Sequence, residues 1–384
     1  MRTLSLYVHV PFCAARCGYC DFNTYTPAQA GPGAPESYLE AAHREIDMAR
    51  QAIGSGRPLD TVFFGGGTPT LLEPAALGGL LSHAIDEFGL ADDAEVTTEA
   101  NPETLTAQVL EDLLDAGFNR LSIGMQSSDY RVLKVLERVH RPGRALEVAK
   151  LAREVGFTNI SLDLIYGTPG ESLASWRQSL EDALSAQPDH VSAYSLIVED
   201  GTPLARKLRK GLVGAVSEDD LADKYQLADE ALRLAGLANY ETSNWARPGY
   251  ESRHNIAYWL GGDWWGIGPG AHSHVGDKRW WNVKRPLTYA KKIAESTVSK
   301  GSAVSPAVEG SETLDAQAKH EEKVLLQLRL RYGLEASELS PTELTRAKEY
   351  EARGLLEFFD AGRRLRASDA GRLLVDGIVL GILD

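Results

Sequence analysis

Three cysteines stand close together near the start of the chain, and they are the only cysteines among its 384 residues. Cys13, Cys17 and Cys20 form a CxxxCxxC motif within residues 7–22. Three thiolates on one short loop can bind three irons of a cubane [4Fe–4S] cluster, and no fourth cysteine exists to bind the fourth iron. One iron of such a cluster would therefore keep open positions for a ligand from outside the protein.

Other uses of these cysteines agree less well with the sequence. A disulfide would leave one cysteine over and is typical of secreted proteins, whereas we recognise no signal peptide here. A structural zinc site usually needs four protein ligands, and the nearest candidate for the fourth, His9, falls inside a predicted strand. Three buried structural cysteines would rarely fall together in so short a loop. The motif favours the cluster, with zinc as the main alternative.

The cysteine loop, with Tyr7 ahead of it and Asp21 and Phe22 behind it, resembles the loop of radical S-adenosylmethionine (SAM) proteins. Within that superfamily it is similar to the group around oxygen-independent coproporphyrinogen III dehydrogenase, HemN. The resemblance implies a SAM molecule bound to the open iron through its amino and carboxylate groups.

The composition is that of an ordinary soluble globular protein, with 43% hydrophobic and 24% charged residues. Forty basic and 54 acidic residues give a net charge of −14, which argues against binding to nucleic acid or to an anionic membrane surface. No apolar run approaches the length needed to span a membrane. Clustered thiols without a pairing scheme favour a reducing compartment, so we expect a cytoplasmic protein.

Short apolar stretches alternate with amphipathic helical stretches through the first two hundred residues. The pattern predicts about six β–α units, which is typical of a parallel sheet curled into an open barrel. We therefore expect an α/β fold built on a partial (β/α)6 barrel. The predicted strands are residues 4–10, 61–64, 95–100, 120–123, 159–165 and 190–197.

The pattern is weaker in the second half of the chain. One more strand is predicted at residues 240–244, and residues 261–281, rich in Gly, Trp and His, are predicted as loop. Residues 296–315 are expected to link a main domain of residues 1–295 to a C-terminal α+β domain of residues 316–384. The order helix, helix, hairpin, helix in that last domain resembles a winged helix, but its mixed charge argues against DNA binding.

Polar and glycine-rich segments follow the predicted strands. In parallel barrels the loops after the strands converge on one mouth, and the chemistry of such folds takes place there. The cysteines follow the first strand, and residues 65–69, Gly-Gly-Gly-Thr-Pro, follow the second. Glu99 lies at the end of the third strand, residues 124–127 follow the fourth, and Asp163 belongs to the end of the fifth. We expect these segments to surround one site.

By resemblance to radical SAM proteins, the glycine segment would hydrogen-bond the methionyl amino group of SAM, because bare glycine backbone lets a ligand approach closely. The remaining polar residues match positions around the methionyl and ribose groups. A tight turn would also account for the glycines, and a satisfied polar residue at a barrel rim would account for each of the others. Arg138 is the one member expected on a helix. The SAM residues implied by the resemblance are Tyr7, Gly66, Gly67, Thr68, Glu99, Gln126, Arg138 and Asp163.

A second constellation lies near residue 254, where histidines and aromatic residues occur together. Such residues can form a flat apolar pocket with an iron ligand, which is what a haem requires. They also form ordinary protein cores, and on chemistry alone the core is the better-supported interpretation. If the segment binds haem, the proposed contacts are His254, Tyr258 and Trp259, with His272 and His274 as the next histidine candidates.

Two features separate the chain from coproporphyrinogen dehydrogenase. That enzyme has a further cysteine just past the cluster motif, where this chain has Asp21 and Phe22, and it has an N-terminal arm where this chain has only six residues before Tyr7. The segments HNxxYW at 254–259 and GIGPGAHS at 266–273 instead resemble the HemW group, the radical SAM family of haem chaperones.

This second resemblance implies a cytoplasmic protein that binds a [4Fe–4S] cluster, SAM and haem, and that passes haem to an acceptor protein. It leaves open whether the protein is an enzyme. The competing interpretation is a radical SAM enzyme, in which cluster-bound SAM is cleaved to a radical that takes a hydrogen atom from substrate. One version is an oxygen-independent coproporphyrinogen III oxidase or dehydrogenase, which the missing arm and cysteine disfavour. The other is a HemN-like methyltransferase, and the HNxxYW segment favours haem handling over methyl transfer.

Replacing any one of Cys13, Cys17 and Cys20 by Ala should abolish the intact [4Fe–4S] centre, because one iron would lose its only protein ligand. Iron and acid-labile sulfide, measured after anaerobic reconstitution, should fall well below the parent content in each variant. Parental iron and sulfide in all three variants would refute the cluster assignment.

Overall fold

Six parallel strands form the centre of the fold in a computed structural model of the protein, which describes residues 2–296 and 304–384. They stand in the sheet in chain order, so each strand pairs with the next one along the sequence. The α/β fold predicted from the sequence is confirmed, and the sheet is open rather than closed. The six strands are β1 (Leu4–Val10), β2 (Leu59–Gly66), β3 (Leu90–Ala100), β4 (Arg120–Gln126), β5 (Ile160–Tyr166) and β6 (His190–Ser195).

Polar and apolar side chains alternate along these strands. In β4, Leu121 and Ile123 are fully buried in the core shared with the helices, whereas Arg120 and Ser122 face a cavity on the other side. Strands covered on both faces are usually apolar throughout, and a closed parallel barrel fills its interior with branched aliphatic side chains. The alternation therefore reflects a sheet whose outer face packs on helices and whose inner face surrounds a polar space.

Helices between the parallel strands cover the outer face of the sheet and share one core with it. Their ends follow local chemistry: Thr106, for example, caps the fourth helix by accepting a hydrogen bond from the N–H of Val109. Within the described ranges, no helix combines the length and the apolar character needed to cross a membrane. The helices of the main domain are α1 (Pro27–Ala30), α2 (Ala34–Ile53), α3 (Pro74–Phe88), α4 (Ala107–Asp115), α5 (Tyr130–Val135), α6 (Arg144–Val155), α7 (Leu173–Ser185), α8 (Pro203–Arg209), α9 (Glu218–Leu234), α10 (Arg253–Trp259) and α11 (Pro286–Glu295).

The sheet continues beyond the parallel strands on both sides and reaches twelve strands. A hairpin of two strands pairs with β6 on one side, and four strands extend the sheet beyond β1 on the other. The first of these four is parallel to β1, and the rest are antiparallel to their neighbours. The added strands are β7 (Ala238–Glu241), β8 (Asn244–Ala246), β9 (Asp263–Ile267), β10 (His272–Val275), β11 (Lys278–Asn282) and β12 (Val308–Thr313).

Two sequence predictions for this region are wrong. Residues 261–281, predicted as loop, hold β9, β10 and most of β11, because Trp265 and Trp280 are buried side by side with their ring centroids 4.8 Å apart. The single strand predicted at residues 240–244 is instead the turn of the β7–β8 hairpin and its flanks. Within the predicted linker, residues 308–313 form β12, and residues 297–303 lie outside the described residues.

A second, smaller core forms after the main domain. Its three-stranded sheet and three helices have the helix, helix, hairpin, helix order that resembles a winged helix, and Asp360 and Ala361 make the hairpin turn with positive φ angles. Its elements are α12 (Ala316–Gln327), β13 (Leu334–Glu335), α13 (Pro341–Ala352), β14 (Leu356–Phe359), β15 (Arg364–Ala367) and α14 (Val375–Leu383).

Several contacts fasten this C-terminal unit to the main domain, and two of them lie near the β7–β8 hairpin. The guanidinium of Arg372 pairs with the carboxylate of Asp229 at 2.9 Å, on α9. The backbone N–H of Arg331 donates to the carbonyl of Tyr240, on β7, at 2.9 Å. The C-terminal unit is therefore attached directly to the hairpin that ends the large sheet.

A buried carboxylate on α2 joins the added strands to the parallel sheet. Glu45 accepts hydrogen bonds from the N–H of Gly268 (2.8 Å), the side-chain amide of Asn282 (2.9 Å) and the hydroxyl of Tyr289 (2.6 Å). Burial raises the pKa of Glu45, and these hydrogen bonds oppose that shift. One side chain thus connects the segment after β9, the end of β11, and α11.

Glu45→Ala should lower the free energy of unfolding by at least about 3 kcal/mol, because each buried donor left without a partner costs about 1–3 kcal/mol. Glu40→Ala, at an exposed position of the same helix, is the matched control and should change stability by less than about 0.5 kcal/mol. Denaturant unfolding followed by circular dichroism compares the two variants. Equal midpoints would show that the Glu45 network contributes nothing.

Candidate functional site

A cavity of about 640 Å³ opens where the parallel strands end and reaches into the interior of the sheet. Its volume lies within the range found for ligand and cofactor pockets. All but one of the site residues expected from the sequence line it, so residues far apart in the chain meet in one place. These lining residues are Tyr7, Cys13, Cys17, Cys20, Gly66, Gly67, Thr68, Glu99, Gln126, Arg138, Asp163, His254 and Tyr258.

Backbone hydrogen bonds hold the cysteine loop at the mouth of this cavity. The N–H of Cys13 donates to the carbonyl of Tyr25 at 3.0 Å, and the N–H of Gly18 donates to the carbonyl of Leu136 at 3.2 Å. The second bond comes from the segment after α5, so the loop is fixed by residues from two distant parts of the chain. The sulfur positions are therefore set by the fold and not by the loop alone.

Arg138 connects the cysteine loop to the end of β4. It lies in the segment after α5, so its predicted position on a helix is wrong. Its guanidinium donates to the sulfur of Cys17 at 3.4 Å and to the carbonyl of Gly124 at 3.3 Å. The cysteines are unpaired thiols, and burial raises the pKa of Cys13 and Cys20. Three thiols in one wall with a permanent cation beside them suit a metal centre bound by thiolates.

The glycine segment after β2 packs directly against the start of the cysteine loop. Gly66 has a φ of +106°, and a Cβ there would lie 2.4 Å from the ring of His9. A Cβ on Gly67 would lie 2.5 Å from the carbonyl oxygen of Phe12. The close approach of the Phe12 backbone therefore requires glycine at Gly67, and the positive φ angle together with the His9 ring requires it at Gly66. A side chain at Gly66 would disturb His9 on β1 before it reached any ligand.

Two carboxylates at the strand ends give the cavity its negative charge. Glu99 accepts a hydrogen bond from the N–H of Gly66 at 3.0 Å, and Asp163 accepts from the hydroxyl of Ser122 at 2.8 and 3.0 Å. Burial, followed by the neighbouring charge of Asp163, raises the pKa of Glu99 to about 7. Burial also raises the pKa of Asp163. Because burial and mutual repulsion disfavour the ionised forms of these carboxylates, a cationic ligand would bind favourably here and would stabilise those ionised forms.

Gln126 lies at an irregular point of β4. It has a φ of +64°, unusual for a residue other than glycine, at the place where the pairing of β4 with β5 shifts register. Gly124 makes room for it, because a Cβ there would lie 2.9 Å from the side-chain nitrogen of Gln126 and 3.2 Å from a guanidinium nitrogen of Arg138. Strained conformations of this kind concentrate at functional sites.

His254 lies inside the cavity wall with both ring nitrogens in hydrogen-bond contact. Its Nδ1 is 2.6 Å from the hydroxyl of Thr61, and its Nε2 is 2.8 Å from the hydroxyl of Tyr258. The ring stacks on Phe63 with centroids 5.0 Å apart, and Glu95 accepts from its backbone N–H at 3.1 Å. Burial lowers the pKa of His254 to about 3, so the ring is neutral at physiological pH.

The other haem candidates lie elsewhere. Trp259 does not line the cavity, although it shares α10 with His254 and Tyr258. His272 and His274 lie on β10, where their rings contact Trp281 and Trp264 with centroid distances of 5.7 and 5.0 Å. The structure thus separates the predicted haem residues, with two of them in the cavity and one outside it.

Sequence reasoning missed the polar side chains deeper in the cavity. Arg120 is 2% exposed and lines the cavity, and its Nε has no hydrogen-bond partner among the described residues. Ser122, Ser192 and Tyr194 line it as well. The alternation of polar and apolar residues in β4 and β6 would have revealed them, since buried parallel strands seldom alternate in this way.

These features define the class of the protein. The parallel strands, the three-cysteine loop after the first of them and the carboxylates at later strand ends together form the arrangement of a radical SAM protein. The donor set fits the cofactors of that class, with thiols for an iron–sulfur cluster and carboxylates with bare backbone for a cationic ligand. In agreement, the family model described as the Radical SAM superfamily matches residues 7–183.

Proteins of similar sequence show which family within this class the chain belongs to. The chain is 50% identical over 382 residues to the heme chaperone HemW of Mycobacterium tuberculosis strain H37Rv, covering 100% of this chain and 95% of that protein. It is 39% identical over 293 residues to HemW of Bacillus subtilis strain 168, covering 76% of each. The chain belongs to the HemW family.

The fold also matches a solved structure. Coproporphyrinogen III oxidase (HemN) from Escherichia coli, described as a radical SAM enzyme, superposes with a TM-score of 0.83 at 26% identity. The match covers 99% of this chain and 90% of that one, so it includes the added strands and the C-terminal unit as well as the parallel sheet.

In the ligand-free protein Glu99 should titrate near pH 7. Asp163→Asn should lower the pKa of Glu99, because it removes a neighbouring negative charge. Glu99→Gln should remove only the Glu99 contribution to the titration, leaving that of Glu171, whose pKa burial also raises to about 7. Infrared difference spectra of the carboxyl C=O band, recorded between about pH 3 and pH 9, detect the group. Glu103→Gln, at an exposed residue of the cavity rim, is the control and should leave the band unchanged. A Glu99 band that titrates near the ordinary value of about 4.3 would contradict the assignment.

Proposed function

We propose that this protein is a haem chaperone, which binds a [4Fe–4S] cluster, SAM and haem and transfers the haem to an acceptor protein in the cytoplasm. The observation that carries the proposal is the match along the whole chain, at 50% identity, to a protein named heme chaperone HemW. The geometry supports it, because one cavity contains three thiols, a pair of carboxylates and part of the HNxxYW segment.

In this proposal Cys13, Cys17 and Cys20 hold three irons of the cluster as thiolates. Arg138 places a positive charge beside the sulfur of Cys17 and ties the loop to β4. When bound, the cluster supplies an open iron position and one-electron chemistry. The fold contributes a fixed loop and a partly enclosed space around it.

SAM carries a sulfonium and an amino group, so the carboxylates of Glu99 and Asp163 are the natural partners for its positive charge. Their ionised forms attract the ligand, and ligand binding lowers their pKa values in return. Thr68 donates toward the sulfur of Cys13 at 3.9 Å, which places its hydroxyl between the cluster loop and the ligand space. The remaining proposed SAM contacts are Tyr7, Gly66, Gly67, Gln126 and Arg138.

Haem needs an apolar surface for its macrocycle and a ligand for its iron. Apolar side chains surround the mouth of the cavity: Phe22, Val139 and Ile197 are 60%, 65% and 66% exposed. We propose His254 and Tyr258 as haem contacts inside the cavity, and Trp259, which shares α10 with them, as a further residue of the haem site. Direct ligation by His254 would require its Nε2 to release the hydroxyl of Tyr258.

The second candidate function is that of a radical SAM enzyme acting on a tetrapyrrole. The match to coproporphyrinogen III oxidase from E. coli favours it, because that similarity extends over 99% of this chain. The cavity holds the candidate residues for a cluster and SAM, which both functions need, so the cavity alone does not separate an enzyme from a chaperone. The two functions differ in whether SAM is consumed.

Parallel assays on the anaerobically reconstituted protein separate them. A chaperone should bind haem and release it to an acceptor, while 5′-deoxyadenosine stays at the background level when reductant and SAM are supplied. An enzyme should form 5′-deoxyadenosine when coproporphyrinogen III is added. Product formation that depends on substrate, without haem binding, would overturn the chaperone proposal.

His254→Ala should weaken haem binding and change the haem absorption spectrum, while iron and sulfide of the cluster stay at parental levels. Tyr258→Phe is the matched variant, because it frees Nε2 of His254 without removing the ring. If His254 ligates the iron, Tyr258→Phe should bind haem at least as well as the parent protein. If His254→Ala binds haem with the affinity and spectrum of the parent protein, His254 has a structural role. The apolar side chains at the mouth of the cavity would then be the proposed haem surface.

A further inference from the structure

Two histidines and two carboxylates meet on the outer face of the protein, away from the cavity. His43 and Asp47 are one turn apart on α2, and His83 and Glu87 are one turn apart on α3. The spacing i, i+4 places each pair on one face of its helix, and the two helices pack against each other. Four side chains of types that can bind metals therefore lie on two adjacent helices.

Two distances within this group of four side chains are short. Nδ1 of His43 lies 2.7 Å from Nδ1 of His83, and Nε2 of His83 lies 2.8 Å from a carboxylate oxygen of Asp47. One ligand atom from each of Asp47, His83 and Glu87 falls within 4.8 Å of the others. In a tetrahedral zinc site with bonds of about 2.0–2.1 Å, neighbouring ligand atoms lie about 3.4 Å apart. The two hydrogen-bonded separations are shorter than that value, and the 4.8 Å bound on Asp47, His83 and Glu87 is longer, so the side chains would rotate to bring their ligand atoms around one ion.

These side chains have few other hydrogen-bond or ion-pair partners that would compete with a metal ion. Among the described residues, the side chains of His43 and Asp47 hydrogen-bond only to His83, and the carboxylate of Glu87 has no hydrogen-bond or ion-pair partner. Arg50, the nearest cation, donates to the backbone carbonyl of Glu87 and not to its carboxylate. Two imidazoles whose nitrogens face each other at 2.7 Å must share one proton. A divalent cation would replace that proton and use both nitrogens.

We propose that His43, His83, Glu87 and Asp47 form a divalent transition-metal site that fastens α2 to α3, with Zn²⁺ as the best-fitting ion. Imidazole and carboxylate together suit zinc, whereas Mg²⁺ and Ca²⁺ prefer sites made of oxygen alone. With Nε2 of His83 bonded to Asp47, Nδ1 of His83 would bind the metal in place of the proton that it shares with His43. Asp47 would then be the group that orients His83, or would itself become a ligand if the ring rotated. The site is independent of the proposed haem function.

The proposal is tested by measuring zinc binding to the full chain after its [4Fe–4S] cluster has been reconstituted. The three cysteine thiols then bind iron and do not compete for zinc. Zn²⁺ is titrated in competition with a chromophoric chelator into the parent protein and into His83→Gln and His43→Gln. His320→Gln is the matched control, since His320 forms a single histidine–carboxylate pair with Glu343 at 2.8 Å. We expect one Zn²⁺ per chain in the parent protein and the control, and an affinity lower by at least about tenfold in each of the other two variants.

A second measurement separates a lost ligand from a damaged fold. Zn²⁺ should raise the thermal unfolding midpoint of the parent protein and of His320→Gln, because it binds only where the two helices are packed, and it should leave His83→Gln unchanged. The cluster iron content should be the same in all four proteins. Equal Zn²⁺ affinity in the parent protein and His83→Gln, no Zn²⁺ binding by the parent protein, or Zn²⁺ uptake accompanied by loss of cluster iron would each overturn the site.

Discussion

The structure depends on how it accommodates polar side chains on the inner face of six parallel strands. Burying unpaired polar groups costs several kcal/mol each, so a closed, packed barrel could not contain them. An open sheet that keeps a cavity of about 640 Å³ solves the problem, because the polar groups then face a space for ligands. The cavity thus exists because the strands carry polar side chains, and the same side chains line it for a ligand. They include Arg120, Ser122 and Asp163.

Charge is balanced within that space by groups from different strands. Glu99 and Asp163 lie near Arg120, whose positive charge lowers the pKa of each against the larger effect of burial. Arg138 is placed apart from them, at the sulfur of Cys17. The cavity thus has a cationic side at the cysteine loop and a carboxylate pair beyond it, which allows an anionic cluster and a cationic ligand to bind side by side.

Local patterns predicted the parallel half of the fold well, because each strand there is short, apolar on one face and followed by a distinct polar segment. They failed at residues 261–281, where tryptophans and glycines that look like loop become strands through contacts between Trp265 and Trp280. Such contacts arise between residues that only the folded sheet brings together. For the same reason the sequence could indicate His254 as a candidate but could not show that Thr61 and Tyr258 occupy its nitrogens.

The attachment of the C-terminal unit has a mechanical consequence. Arg331 holds the backbone of Tyr240, while the hydroxyl of the same tyrosine lies 2.8 Å from Nε2 of His190 in the cavity wall. A rigid displacement of the C-terminal unit would therefore act on the lining of the cavity through Tyr240, beside the ion pairs that also hold the unit to the main domain. Tyr240 thus gives the outer unit a mechanical path to the ligand space that is only a few bonds long.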